Sequence, residues 1–142
     1  MELSALYDIA AQQDIPVVSF PLEKTGSLSH MDDRGRCAIG LDPSVRDGAA
    51  LERVHLSHEL GHCVTGSFYN RYAAVDHRRR HENRADKWAI RKLVTVDQLD
   101  DAIAEGCTEL WQLADRFGVT EEFVKKAVCL YVHGNLATEL YF

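Results

Sequence analysis

Residues 51–66 read LERVHLSHELGHCVTG, and residues 58–62 within them have the pattern His-Glu-x-x-His. On a helix, residues four positions apart lie one turn apart on the same face, so His58 and His62 can direct ring nitrogens at one point. Two imidazoles at this spacing are typical ligands of a Zn²⁺ ion. Glu59 lies beside the pair and is placed to accept a proton from water rather than to bind the metal. The stretch therefore predicts a helix that carries part of a metal site.

A catalytic zinc ion usually has three protein ligands, so a further ligand must come from outside this helix. A histidine six residues after the second would be one known solution, but that position is Phe68. The stretch HENRADKWA at residues 81–89 offers a carboxylate instead. Glu82 is predicted to be the third metal ligand. Asp86 lies one helical turn later and is predicted to accept the N–H of a ligating histidine, which would orient its ring.

Small side chains indicate where the two helices approach each other. Gly61 leaves one side of the first helix bare, and Ala85 and Ala89 recur at helical spacing on the second. Leu60 is expected to turn towards the core, and Trp88 to fill space beside the helix pair. The sequence therefore predicts a close crossing of the two helices next to the metal ligands.

Two blocks of the sequence together resemble a known family of enzymes. LSHELGHCVTGSFYN at residues 56–70 and HENRADKWAI at residues 81–90 are similar to the ImmA/IrrE zinc metallopeptidases. The resemblance extends over residues 15–95, which include both motifs. It implies a small zincin-like α+β core, a Zn²⁺ cofactor and cleavage of a protein partner. The partner that it implies is a helix-turn-helix repressor of a phage or mobile element.

These residues predict a zinc-dependent endopeptidase of narrow specificity. In this interpretation His58, His62 and Glu82 hold the metal, which polarises the scissile carbonyl and makes water acidic enough to react at neutral pH. Glu59 acts as the general base on that water and then returns the proton to the leaving amine. His55, three residues before His58, is placed to support the ligand face. Four residues could donate a hydrogen bond to the transition state, although each is more typical of a rim or a solvated turn: Tyr69, Tyr72, His77 and His81.

Two alternatives stand beside the enzyme. A non-catalytic protein-binding regulator could use Zn²⁺ only to stabilise its fold, although Glu59 has no purpose at a purely structural site. A DNA-binding regulator could use ELWQLADRFGVTEEFVKKAV at residues 109–128, which has the pattern of a helix-turn-helix. Its second helix begins with Thr120, Glu121 and Glu122, however, and the two glutamates would repel phosphates. We therefore expect a structural helical cap, and nucleic acid is not the expected partner.

The rest of the sequence predicts an α+β fold. Residues 1–95 are expected to form the zincin-like core, and residues 96–142 a C-terminal helical cap packed on it within one compact domain. The tail NLATELYF at residues 135–142 is expected to dock on the body, and the strand from Arg36 to Leu41 could offer an exposed edge to a substrate peptide. The predicted elements are a helix over 3–13, a strand over 15–20, a hairpin over 27–31 and 36–41, the motif helix over 48–66 with Leu51, Val54 and Val64 facing the core, and helices over 82–93, 96–106, 108–118 and 121–134.

Composition restricts the class of protein further. A chain of 142 residues fits one domain, and its formal net charge of -6 works against binding to a phosphate backbone. The start lacks the pattern of a signal peptide, and no apolar run approaches the roughly 20 residues that span a bilayer, so we expect a cytoplasmic protein without a membrane partner. The four cysteines are widely spaced and are expected to be reduced and mostly buried, with Cys63 a small core side chain rather than a ligand. The oligomeric state is left open.

Overall fold

The computed structural model describes residues 1–70 and 72–137. Over these residues the chain forms six α-helices and a small mixed sheet, which confirms the predicted α+β class. Residues 138–142 of the tail that was predicted to dock lie outside the described residues, while Leu136 is buried. The elements are α1 (Leu3–Gln12), β1 (Val17–Ser19), β2 (Ser27–Met31), β3 (Cys37–Leu41), a 3-10 turn (Pro43–Val45), α2 (Ala50–Thr65), α3 (Val75–Leu93), α4 (Val96–Ala104), α5 (Leu110–Phe117) and α6 (Glu121–His133).

The three strands lie in the order β1-β3-β2. β2 and β3 form the predicted antiparallel hairpin, with Ser29 opposite Ile39. β1 pairs with β3 in parallel, with Val17 also opposite Ile39. The prediction that the strand from Arg36 to Leu41 is an exposed edge is therefore wrong. Because β1 adds beside β3, that strand is central, and the open edge next to α2 belongs to β2 over the residues that the structure describes.

Helix α2 lies against β2 and β3 and buries its apolar side chains there. Leu56 and Leu60 lie one turn apart and are fully buried, which confirms the inward direction predicted for Leu60. Leu51 was predicted to face the core but is 40% exposed. At 100° per residue it lies about 140° around the helix from Leu56, so it cannot share the buried face. The sheet therefore contacts α2 along a narrow apolar stripe, and the polar motif occupies the neighbouring face.

Helices α2 and α3 cross at the predicted small residues. A Cβ atom at Gly61 would lie 2.6 Å from the backbone oxygen of Ala85, and the side chains of Ala85 and Ala89 are fully buried. α3 begins at Val75, nearly two turns before the predicted start at Glu82. The additional turns hold arginines that tolerate a helix well and remain mostly on the surface. The close crossing predicted from the sequence is confirmed, whereas the start of α3 is corrected.

Two of the C-terminal helices begin with a capping threonine. Thr95 and Gln98 form a reciprocal capping box at α4, and the Thr120 hydroxyl accepts a hydrogen bond from Phe123 N–H at α6. Gly118 adopts a left-handed conformation with φ of 64° between α5 and α6, as the turn of the predicted helix pair requires. α6 packs against both α5 and α3. Among the described residues, none of the helices has both the length and the apolar character needed to cross a membrane.

A disulfide bond joins the sheet to α2. Cys37, the first residue of β3, is bonded to Cys63, and their Cα atoms lie 6.0 Å apart. The expectation that all four cysteines are reduced is wrong for this pair, whereas Cys107 and Cys129 are free. The packing of α2 across the sheet brings together two residues that are 26 positions apart, a proximity that their spacing does not reveal. Cys63 is thus bonded to β3 immediately beside His62.

The disulfide makes a prediction about thiol content and stability. Two thiols, those of Cys107 and Cys129, should react with a thiol reagent in unfolded, unreduced protein, and four should react after reduction. Cys37→Ser should lower the free energy of unfolding by about 3 to 4 kcal/mol, because the chain-entropy contribution of a loop of this length is lost. Cys129→Ser is the control and should change it by less than about 1 kcal/mol. Four reactive thiols before reduction would contradict the bond.

The close contact between α2 and α3 predicts that Gly61→Ala lowers the stability of the protein. Helix propensity alone predicts the opposite effect. In an ordinary helix interior, replacing glycine by alanine stabilises by about 0.5 to 1 kcal/mol. At Gly61 the added methyl group would overlap the backbone of Ala85, so we expect Gly61→Ala to destabilise the protein by about 1 to 3 kcal/mol. Denaturant unfolding of metal-free protein measures the change. A gain in stability would mean that the two helices are further apart than described.

Candidate metal centre

Helices α2 and α3 bring the three predicted metal ligands together. His58, His62 and Glu82 each offer a ligand atom, and these atoms all lie within 4.8 Å of one another. Glu82 Oε2 lies 2.7 Å from His58 Nε2, and Glu82 Oε1 lies 3.2 Å from His62 Nε2. Both imidazoles therefore direct the same type of nitrogen at one carboxylate. This arrangement arises because the i, i+4 spacing on α2 faces α3 one residue from the Gly61 crossing.

The other ring nitrogens of the two histidines are also bonded. His58 Nδ1 lies 2.8 Å from Asp86 Oδ1, the contact that the sequence predicted for Asp86. His62 Nδ1 donates to the backbone oxygen of Ser67, which the sequence analysis did not single out. The signal for Ser67 is Gly66, whose left-handed conformation ends α2 and turns the chain back under His62. Hydrogen bonds at Nδ1 orient both rings and leave Nε2 facing inward, as in a typical metal site.

Two carboxylates set the charge state of His58. Burial disfavours its charged form, but hydrogen bonds to Asp86 and Glu82 outweigh burial and raise the pKa of His58 to about 10. Burial also opposes ionisation of the two carboxylates, yet their hydrogen bonds with His58 lower the pKa of Glu82 and the pKa of Asp86. His58 therefore lies between two carboxylates that favour its charged form.

Glu59 is buried beside the ligands and is held by the edge strand. Its Oε2 accepts a hydrogen bond from Ser27 Oγ at 2.7 Å, and its Oε1 accepts one from Ser29 Oγ at 2.8 Å. His55 Nδ1 lies 2.8 Å from Ser27 Oγ, so His55 supports this serine rather than a metal ligand. Neither serine was predicted to be a site residue. Their signal is the alternation Ser-x-Ser in a predicted strand, which places both side chains on one face.

The four side chains proposed as possible hydrogen-bond donors, Tyr69, Tyr72, His77 and His81, differ in their contacts and exposure. Tyr69 donates from its hydroxyl to Glu82 Oε1 at 2.7 Å, and burial together with this contact raises the pKa of Tyr69 to about 12. Tyr69 therefore stays a hydrogen-bond donor at neutral pH. Tyr72 is 79% exposed. His77 and His81 lie one turn apart on α3, and their Nε2 atoms are 3.1 Å from each other.

The centre lies in a cleft of about 1140 Å³ between the edge strand and α6. Leu28 and His30 of β2 line one side, and Phe123 and Lys125 of α6 line the other. Lys126 of α6 also reaches the centre, since its Nζ lies 3.3 Å from Asp86 Oδ2. Helix α6 thus completes the cleft wall.

The donor set fits a zinc ion. Two imidazole Nε2 atoms and one carboxylate face a common point, and their outer atoms are bonded to the protein. Three ligands of this kind, with space left in a cleft for a further molecule, are typical of catalytic rather than structural zinc sites. His58, His62 and Glu82 would hold the ion, and Glu59 lies beside them without being needed as a ligand.

Comparison with known proteins gives one match. The sequence profile of the Peptidase M78 family, described as the IrrE N-terminal-like domain, matches residues 10–128. The match includes the sheet, the two helices of the metal centre and most of α6. No curated protein and no solved structure shows significant similarity to the chain.

The charge state of His58 predicts how many protons are released when Zn²⁺ binds and how the affinity changes with pH. With a pKa of about 10 this residue carries a proton at pH 7, and a ligating histidine must be neutral. Binding of Zn²⁺ at pH 7 should therefore release about one proton from His58, and the affinity should rise with pH towards pH 10. Calorimetry in buffers of different ionisation enthalpy measures the released proton.

Asp86→Asn is the informative variant, because Asp86 provides the strongest contact that raises the pKa of His58. We expect it to reduce the proton release and to weaken zinc affinity about 10- to 100-fold. Asp76→Asn, at the exposed first turn of the same helix, is the matched control and should change neither quantity. Zinc binding without proton release in the wild type would contradict the described state of His58.

Proposed function

The chain belongs to the Peptidase M78 family of IrrE N-terminal-like domains, and from this premise we propose that it is a zinc-dependent endopeptidase that cuts a protein partner with narrow specificity. One observation carries the proposal. His58, His62 and Glu82 converge in an open cleft next to the buried carboxylate of Glu59. A purely structural zinc site has no use for an additional carboxylate or for a cleft.

In this proposal the ligands are Nε2 of His58, Nε2 of His62 and the carboxylate of Glu82. When bound, Zn²⁺ polarises the scissile carbonyl and lowers the pKa of water. Asp86 and the backbone oxygen of Ser67 accept hydrogen bonds from Nδ1 of the two histidines, so each imidazole would present Nε2 to the metal once His58 has released its proton.

Glu59 is the proposed general base. Its two oxygens accept one serine hydroxyl each, and a carboxylate has about four acceptor positions, so capacity remains for a water molecule. Glu59 accepts the proton of the water whose oxygen attacks the carbonyl carbon, and it delivers that proton to the amine nitrogen as the C–N bond breaks. Tyr69 lines the same cleft, and its single O–H, which donates to Glu82 Oε1 in the structure, is the proposed donor to the developing oxyanion once it exchanges that contact.

The open edge of β2 is the proposed binding site for the substrate backbone. Thr25, Ser27, Leu28, Ser29 and His30 all line the cleft, so the strand runs along it. An extended peptide that adds to a sheet edge gains main-chain hydrogen bonds, while pockets select its side chains. This assignment replaces the strand from Arg36 to Leu41, which is covered on both sides by its neighbours.

The proposed substrate is a protein, and the resemblance to ImmA/IrrE proteins makes a helix-turn-helix repressor the first one to test. Two observations support a protein over nucleic acid. α6 begins with the acidic residues Glu121 and Glu122, both exposed, and the chain carries a net charge of -6. Acidic side chains at the start of the second helix repel the phosphates that a recognition helix would approach.

Metal analysis and a cleavage assay on the same variants test the proposal. Elemental analysis should find about one zinc per chain in the wild type and in Glu59→Gln, and much less in Glu82→Ala. The zinc-loaded wild type should cleave members of a proteome-derived peptide library, detected by mass spectrometry of new termini. Glu59→Gln should lose cleavage by a factor of at least 100 because the general base is gone.

Glu121→Gln is the matched control, since it removes an exposed carboxylate at the start of α6 that is not among the residues lining the cleft. It should keep both zinc and cleavage. Zinc binding without cleavage of any peptide would favour a zinc-stabilised protein-binding regulator. Cleavage by Glu59→Gln at the wild-type rate would remove Glu59 from the mechanism.

A further inference from the structure

We infer that Ser27 and Ser29 are positioning residues that couple substrate binding to the general base. Their side chains hold the carboxylate of Glu59, and their backbone groups face the edge to which a peptide would add. Docking of an extended peptide on β2 would therefore also set the position of Glu59. This inference rests on the proposed peptidase function and assigns to the edge strand a role in the chemical step.

The side-chain half of this coupling is a pair of hydrogen bonds to one carboxylate. Ser27 donates to Glu59 Oε2 at 2.7 Å, and Ser29 donates to Glu59 Oε1 at 2.8 Å. Hydrogen bonds to an ionised acceptor are stronger and more directional than those between neutral groups. Two donors on two oxygens fix both the position and the rotation of the carboxylate plane. α2 supplies Glu59, but β2 decides where its carboxylate points.

The hydroxyl of Ser27 has a fixed direction. Because it donates to Glu59, its oxygen must accept from His55 Nδ1, which lies 2.8 Å away. His55 is itself held against the turn before the strand, where a Cβ atom at Gly26 would lie 2.7 Å from the ring. Gly26 also has a φ of 78°, a conformation that other residues rarely adopt. Gly26 thus leaves room for the ring of His55. His55 orients the hydroxyl of Ser27, and Ser27 in turn orients the carboxylate of Glu59.

The backbone half of the coupling follows from the pairing of the strands. Asp42 N–H bonds to the oxygen of Gly26, and Asp32 N–H bonds to the oxygen of Arg36. In an antiparallel pair the bonded residues alternate, so the even-numbered residues of β2 bond to β3. The N–H and C=O groups of Ser27 and Ser29 therefore point to the opposite edge. Over the described residues no strand pairs there, and both serines line the cleft.

The same two residues thus face the peptide with their backbone and Glu59 with their hydroxyls. β2 is a five-residue strand that, among residues 1–70 and 72–137, is paired on one side only, and pairing of its second side by a peptide would restrain it. Binding energy from substrate residues outside the scissile bond would then act on the position of the base. Such energy appears in kcat rather than in KM, because it contributes to the transition state and not to binding alone.

Ser29→Thr and Ser29→Val form the decisive pair of variants. The two side chains have nearly the same shape and both suit a strand, but only threonine keeps a hydroxyl. On the best-cleaved library peptide, Ser29→Val should lower kcat about 10- to 100-fold with KM changed less than about threefold. Ser29→Thr should keep kcat within about threefold of the wild type. Zinc content and melting temperature establish that both variants are folded and loaded.

A shortened substrate tests the coupling itself. In the wild type and in Ser29→Thr, removing residues from the end of the peptide that pairs with β2 should lower kcat, since less of the edge is restrained. In Ser29→Val the same truncation should change KM and leave kcat within about twofold. Equal kcat in Ser29→Val and Ser29→Thr, or an equal loss of kcat on truncation in both, would overturn the inference.

These outcomes are distinct from failure of the proposed function. Cleavage that depends on Glu59 but not on the Ser29 hydroxyl removes only the positioning role. Absence of cleavage by the zinc-loaded wild type removes the peptidase proposal, and the positioning role falls with it.

Discussion

The close contact between α2 and α3 at Gly61 is the constraint on which the centre depends. A backbone oxygen of α3 occupies the space that a side chain at position 61 would take, so the two helix axes come unusually near each other. At this separation a glutamate on α3 reaches imidazoles on α2 directly, and an aspartate one turn later reaches the outer nitrogen of the first imidazole. If the two helices crossed at a greater distance, these groups would lie in solvent and their charges would no longer compensate one another. Buried charges need such compensation. The apolar stripe of α2 then fixes which way the whole pair faces the sheet.

The sequence predicted the residues whose relation is local to a helix. The i, i+4 relations of His58 to His62 and of Glu82 to Asp86 follow from helical geometry alone, and small residues marked the crossing that joins them. Relations that depend on strand order were not accessible in the same way. β1 returns in parallel beside β3, so the strand expected at the edge became central, and the role passed to β2. Other features depend on how α2 lies across the sheet, namely the contacts of Ser27 and Ser29 with Glu59 and the bond between Cys37 and Cys63. The spacing of residues in the sequence does not show that arrangement. The division of the chain after residue 95 stays a prediction.

Helix α6 contributes to the centre, although the C-terminal helices were predicted to form only a structural cap. Lys126 pairs with the carboxylate that orients His58, and residues of α6 form a wall of the cleft. The pair of charges is partly exposed to solvent, so its contribution to stability is small. Its position nevertheless connects the surface of α6 to the first imidazole through a single carboxylate. A protein partner that contacted α6 would therefore lie against both the cleft and this link.

An open strand edge also presents a danger to the protein that carries it, because unpaired backbone groups are a template for association with other chains. β2 limits this danger by its length of five residues, of which only Leu28 and His30 have exposed side chains. Such an edge offers few apolar contacts to an arbitrary strand. A chain that pairs with it must therefore gain most of its binding free energy elsewhere along the cleft. The weak binding at the β2 edge thus has two consequences. It limits self-association, and it leaves the side chains of the surrounding cleft walls to select which chains bind.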